Sequence, residues 1–147
     1  MEGKGRITGH TGLLALIGSP VGHSGSPAMY NYSFEKLGLD YAYVAFDIKV
    51  EEVKAALDAM RLFHMRGCNV TMPCKTEAAK YMDELSPAAR IIGAVNTIVN
   101  EDGKLIGHMT DGEGFVGNLR DHGIEIKGKK ITVAGGGGAA TAIQVQC

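Results

Sequence analysis

Seven residues of this chain place polar groups where strands and helices should meet: Ser24, Ser26, Asn69, Thr71, Lys75, Asn96 and Asp111. They supply hydroxyls, two amides, an ammonium and a carboxylate. That set suits a small, oxygen-rich, anionic ligand. A lysine can serve as an ammonium donor or, when neutral, as a proton acceptor, so Lys75 is also a candidate general acid/base. The stretch GSPVGHSGSP at 18–27 brings Ser24 and Ser26 directly after an apolar run. In GCNVTMPCK, Asn69 and Thr71 are two apart and so share one face of a strand, because strand side chains alternate. A polar pair at the carboxyl end of a strand in an α/β sheet is where ligands bind.

Each feature has a plainer reading. The serine stretch could be only a turn, and His23 reads as a turn residue. Lys75 alone at a helix start could be a solvated side chain. Asn96, in GAVNT, could be a satisfied structural amide, since a buried asparagine needs partners for its donors and acceptor. Asp111, in MTDGEG, is a favoured residue type for capping a helix.

The second constellation lies near the end of the chain. ITVAGGGGAATAI places Gly135-x-Gly137-x-x-Ala140 between an expected strand and an expected helix, the spacing of a dinucleotide-binding loop. The candidate cofactor-binding backbone is Gly135, Gly136, Gly137, Gly138, Ala139 and Ala140. Glycines there permit a tight turn and close approach to a pyrophosphate, and a helix N-terminus offers unpaired N–H groups. A glycine-rich turn with no ligand is the plain alternative. The residue that would choose between NAD and NADP belongs about 20 residues further on. A complete nucleotide domain cannot be built from residues 130–147, so the chain reads as a fragment, expected to be inactive or nearly so.

The elements that must position these groups follow from pattern. Leu13–Ile17 reads as a buried strand. Ser26-Pro27 reads as a helix start with Ser26 as N-cap, and Gly38 as its stop. Tyr41–Phe46 is strand two. Apolar residues at 50, 53, 57 and 60 predict a helix from Val50 to about Phe63. Gly67–Thr71 is strand three, Lys75–Met82 a helix, and Ser86-Pro87 opens another. Val95–Val99 and Leu105–His108 read as a hairpin around Glu101-Asp102-Gly103. Asp111 to about Asp121 is helical, with Gly123 as the stop. Ile131–Ala134 is a strand, and a last helix follows. Alternation of strands and helices predicts an α/β fold: a three-layer α/β/α substrate domain with a mainly parallel sheet over residues 1–109. Residues 110–147 then hold a connecting helix and the first strand and helix of a truncated Rossmann domain.

Bulk properties narrow the class. The net charge of −1 argues against nucleic-acid or membrane-surface binding. No apolar run approaches a membrane span, and Met1–Arg6 does not open a signal peptide. The expected location is the cytoplasm. Three cysteines, Cys68, Cys74 and Cys147, form no disulfide framework and lack the grouped partners of a metal site, so no metal is expected.

At this point GSPVGHSGSPAMYN, GCNVTMPCK, GAVNT, TDGEG and GGGGAATAI, in this order and spacing, resemble the shikimate dehydrogenases, from about Leu13 to Cys147. The resemblance implies an N-terminal α/β domain for shikimate, a C-terminal Rossmann domain for NADP, and reversible reduction of 3-dehydroshikimate to shikimate in aromatic amino-acid biosynthesis. It implies that Ser24 and Ser26 bind the substrate carboxylate, that Thr71 and Asn96 meet ring hydroxyls, and that Lys75 and Asp111 form the catalytic pair. Met109 departs from the family's usual asparagine before Thr-Asp-Gly, and Gly136 stands where alanine is common. The family's C-terminal substrate glutamine falls beyond residue 147. Quinate/shikimate dehydrogenases, which take quinate or NAD, are the nearest alternative. Methylenetetrahydrofolate dehydrogenases share the architecture, but the Ser24-x-Ser26 pair argues against a folate. A non-catalytic shikimate-binding module is the third reading. A homodimer is an open possibility for the oligomeric state.

Overall fold

The computed structural model describes residues 7–136 and 138–147. Strand β1, Gly12–Gly18, pairs in parallel with β2, Tyr41–Asp47, on one side and with β3, Gly67–Val70, on the other. The hairpin of β5, Thr97–Glu101, and β6, Lys104–His108, joins β3 antiparallel. A two-residue strand β4, Glu84–Leu85, pairs in parallel with β6 and was not legible in the sequence. The six-stranded order is β2-β1-β3-β5-β6-β4, a mostly parallel α/β sheet as expected.

Side-chain alternation sorts the strands into two cores. Ala15, Ile17, Cys68, Val70 and Ile98 face the helices α2 (Val53–Leu62), α3 (Lys75–Ala79) and α4 (Pro87–Ile92). Leu16 and Tyr43 face the other way, against Tyr30 and Phe34 of α1, Ser26–Leu37. The sheet is therefore the middle of three layers. Val53, Leu57 and Met60 of α2 are buried at the helical spacing the sequence predicts, whereas Val50 sits in a short 3₁₀ turn, Val50–Glu52, ahead of it. The Glu52 carboxylate accepts the Lys49 N–H at 2.8 Å and closes that turn.

Several boundaries differ from expectation. Helix α1 is capped by Gly25, not Ser26, because Gly25 is already in the right-handed helical region and Ser26 is the first helical residue. Helix α3 ends at Ala79 and not Met82, since Lys80 and Tyr81 turn back through i→i−3 bonds to Glu77 and Ala78 and lead the chain into β4. Strand β3 ends at Val70, one residue before Thr71, and Cys74 N–H bonds the Thr71 carbonyl to make a turn. The first hairpin strand begins at Thr97 rather than Val95, because the Val95 N–H goes to the Lys75 carbonyl. Asn96 thus precedes the strand. The Asp102-Gly103 turn, with φ of 50° and 96°, is the tight hairpin turn expected. The expected strand over Ile131–Ala134 is not formed: among the described residues it pairs with no strand, and Ile131 is exposed.

The last helices are α5, Asp111–Asp121, and α6, Gly138–Gln146. They cross at Gly112, where an added Cβ would collide with the Ala142 carbonyl oxygen. Gly112→Ala should therefore destabilise the chain by about 1–3 kcal/mol through overpacking. Gly114→Ala, on the same helix but with open space around it, should be neutral or stabilising by up to ~1 kcal/mol from helix propensity. Urea midpoints of the two variants separate these outcomes; equal effects would remove the close crossing as the cause.

Candidate active site

One edge of the sheet collects the polar residues. Ile17 lies beside Val70, and Asn69 is flanked by Thr97, which is itself paired with His108. The carboxyl ends of β1, β3 and β6 and the start of β5 therefore share that edge. Loops leaving it carry the candidate side chains, which is where parallel α/β sheets place ligands.

Lys75 is the first residue of α3, and its main-chain carbonyl is held by the Val95 N–H at 3.1 Å. Its Nζ lies 2.6 Å from Asp111 Oδ2. Asp111 is the first residue of α5, so its carboxylate also lies at the favourable positive end of that helix. It is not the cap: Thr110 occupies that position. The other carboxylate oxygen, Oδ1, accepts from Asn96 Nδ2 at 2.6 Å. The Lys75 and Asp111 side chains are 26% and 33% exposed, so this pair is partly shielded yet open to a small molecule. The Lys75 ammonium is thus ion-paired rather than free in solvent.

The Asn96 amide has protein partners at both ends. It donates to Thr110 Oγ1 and Asp111 Oδ1, and its oxygen accepts from the Thr110 N–H at 3.1 Å and the Thr97 hydroxyl at 3.1 Å. The structural-amide reading is met, and the amide orients Asp111. Asn69 lies alongside. Its oxygen accepts from the Tyr43 hydroxyl at 2.8 Å, and its Nδ2 donates to Thr97 Oγ1 at 3.3 Å and the Asn96 carbonyl at 3.4 Å. Thr71 follows on the same face, its N–H on the Ile17 carbonyl.

Ser24 lies in the loop after β1 and Ser26 opens α1, both half-buried. The loop is tied to the same edge by Ser19 N–H on the Met72 carbonyl. Ser24 Oγ accepts the Ser26 N–H at 3.2 Å, a serine turn that leaves the Ser26 hydroxyl without a capping duty. The structure thus joins Lys75, Asp111, Asn96 and Asn69 by direct contacts, and brings Thr71, Ser24 and Ser26 to the same edge without contact to Lys75. Exposed His23 is a turn residue as expected.

Gly135 has φ of +129°, a conformation suited to glycine, and Gly136 has open space where a Cβ would stand. Gly138 opens α6, followed by Ala139 and Ala140. Gly135 and Gly136 are exposed, and the N-terminus of a helix can offer unpaired N–H groups to an anion. Gly137 lies outside the described residues. Among the described residues no group of His, Cys, Asp or Glu is arranged to hold a metal ion. Cys68 is packed in the core, where burial pushes its thiol up to about 12.

Tyr43, Thr97 and Thr110 were missed as members of this cluster. Thr97 was visible beside Asn96 in GAVNT. Nothing in the spacing of Tyr43 shows that its hydroxyl reaches over β1 to β3.

The described residues thus form a three-layer α/β domain with a lysine–carboxylate pair at the carboxyl ends of its strands. The chain belongs to the shikimate dehydrogenase family: residues 16–98 match the shikimate dehydrogenase substrate binding domain. A curated relative, shikimate dehydrogenase (NADP(+)) of Listeria monocytogenes, is 55% identical over 141 residues, which are 96% of this chain and 48% of the relative. The solved Listeria monocytogenes shikimate 5-dehydrogenase in complex with shikimate and NAD superposes with a TM-score of 0.93 at 55% identity, over 96% of this chain and 49% of that one. The Thermus thermophilus enzyme in complex with NADP(H) and shikimate gives 0.85 at 41% identity, over 92% of this chain and 51% of that one. The chain spans about half the length of the relatives it matches. No helix among the described residues is long and apolar enough to cross a membrane.

Proposed function

We propose that this chain forms the shikimate-binding part of an NADP-dependent shikimate dehydrogenase, which reversibly reduces 3-dehydroshikimate to shikimate. The observation that carries the reading is the Lys75–Asp111 pair, 2.6 Å apart at the sheet edge. A bound nicotinamide would supply the hydride acceptor. The chain's own residues handle the rest. Lys75, when neutral, takes the hydroxyl proton at Nζ as the C–H hydrogen departs, and returns it in the reverse direction. Asp111, fixed by Asn96, orients Lys75 and the substrate hydroxyl. Ser24 and Ser26 donate to the substrate carboxylate, while Asn69, Thr71 and Asn96 meet the ring hydroxyls. Gly135, Gly136, Gly138, Ala139 and Ala140 would hold the pyrophosphate of a bound dinucleotide through their backbone. Residues 1–109 are the substrate domain in this reading, and 110–147 connect to and begin the nucleotide domain.

The free, buried thiols of Cys68 and Cys74 suit a reducing compartment, which supports a cytoplasmic location. Each serine hydroxyl bonded to a carboxylate contributes about 1.5–3 kcal/mol. Ser24→Ala and Ser26→Ala should each weaken shikimate binding by roughly 10- to 100-fold in a calorimetric titration. Unchanged affinity in both would remove the serines from the carboxylate site.

Turnover is tested by joining this chain to the C-terminal half of the Listeria relative and following NADPH formation. Shikimate oxidation with NADP is the expected result. Comparable rates with quinate or NAD would favour the quinate/shikimate alternative, turnover of methylenetetrahydrofolate would favour the folate class, and shikimate binding without turnover would favour a binding module. Sedimentation of the same protein with shikimate tests the homodimer.

A further inference from the structure

We infer that Tyr43 is a positioning residue for the substrate site: its hydroxyl anchors the Asn69 carboxamide at the ligand edge. The inference rests on the reading of Asn69 as a substrate contact.

A carboxamide has a donor end and an acceptor end of nearly equal size, so its orientation is set by its partners. Three partners surround Asn69. The Asn96 carbonyl can only accept, so its contact with Nδ2, at 3.4 Å, sets which end of the amide is which but holds it weakly. The Thr97 hydroxyl can donate or accept, at 3.3 Å, and decides nothing. The Tyr43 hydroxyl, at 2.8 Å from Oδ1, makes the short bond. It sits on β2 and reaches across β1, above Leu16, to β3. Its ring is 3% exposed and stacked on Tyr30, with centroids 4.5 Å apart, so the hydroxyl is held in place. Burial, the largest cause, raises the phenol well above its ordinary value and keeps it a donor throughout the working pH range.

The consequence runs in one direction. Tyr43 donates to Asn69, Asn69 to Thr97, Thr97 to Asn96, and Asn96 to Asp111, which also accepts from Lys75. A second anchor decides how far a loss would travel. The Thr110 N–H also holds Asn96 Oδ1, so Asp111 stays oriented when the start of the chain fails. The effect of removing the Tyr43 hydroxyl should therefore stop at Asn69 and Thr97. It should appear in substrate affinity more than in the rate of the chemical step.

Tyr43→Phe keeps the ring stack and deletes only the hydroxyl. Tyr30→Phe serves as the control, since the Tyr30 hydroxyl makes no bond to Asn69. Two readouts are taken on the 147-residue chain: the Asn69 side-chain NH₂ resonances without ligand, and the shikimate dissociation constant. Tyr43→Phe should shift and broaden the Asn69 resonances and raise the dissociation constant by about 3- to 10-fold, the size of one net hydrogen bond. Tyr30→Phe should leave both unchanged. Asn69 resonances identical to wild type in Tyr43→Phe would overturn the inference. Altered resonances with unchanged affinity would refute its role at the substrate site. Absence of shikimate binding by the wild-type chain would instead refute the functional reading, while the ligand-free resonances still judge the anchoring role of Tyr43.

Discussion

Lys75→Ala should lower shikimate oxidation by about 10²–10⁴-fold in the enzyme completed with the Listeria C-terminal half, the usual loss of a general acid/base. A hydride cannot leave a secondary alcohol cleanly unless the hydroxyl proton also departs. Among the described residues, Lys75 is the basic side chain joined to the polar cluster at the ligand edge, 2.6 Å from Asp111. Its backbone is braced by the Val95 N–H, so truncation removes the amine without moving the loop. Lys75→Arg should not restore the rate, because a guanidinium does not give up its proton. A general-acid/base role predicts a fall in kcat that exceeds any rise in KM. A variant that retained near-full kcat would eliminate Lys75 as the proton carrier.

Leu57→Ala should cost about 2–5 kcal/mol, the range for deleting a buried leucine side chain. Leu57 is 1% exposed and packs in the cluster that also holds Cys74, Ala78 and Met60. Cys74 immediately precedes Lys75, and Ala78 lies on α3 behind it. A cavity at Leu57 therefore undercuts the helix that carries the lysine. Typical domains have only about 5–15 kcal/mol of stability, so the variant should show a large drop in its urea midpoint with the m-value retained. Loss below 1 kcal/mol would mean that α2 is not packed on the sheet as described.

Much of this arrangement was legible in the sequence because it depends on local chemistry. The Ser86-Pro87 start is one example: Ser86 Oγ accepts the Ala89 N–H at 3.3 Å. The Asp102-Gly103 turn and the Gly38 stop are others, each written in adjacent residues. Lys75 and Asp111 were identifiable as residue types at element starts, but their 2.6 Å contact depends on how α3 and α5 converge. Strand β4 was hidden because two residues carry no periodicity; it exists because β6 offers it an edge. The cap of α1 shifted because Gly25 holds that position in right-handed backbone and Ser26 is already helical. Tyr43 was hidden for a related reason. Its partner Asn69 is 26 residues away, and only the order β2-β1-β3 brings them onto one face.

The most direct test of the account is a titration of the 147-residue chain with shikimate, followed by amide and side-chain NMR. The account predicts saturable one-to-one binding. Its largest shifts should fall on Ser24, Ser26, Asn69, Thr71, Lys75, Asn96 and Asp111, and binding should weaken in Lys75→Met. Shifts confined to other surfaces, or affinity unchanged by removing Lys75, would contradict it.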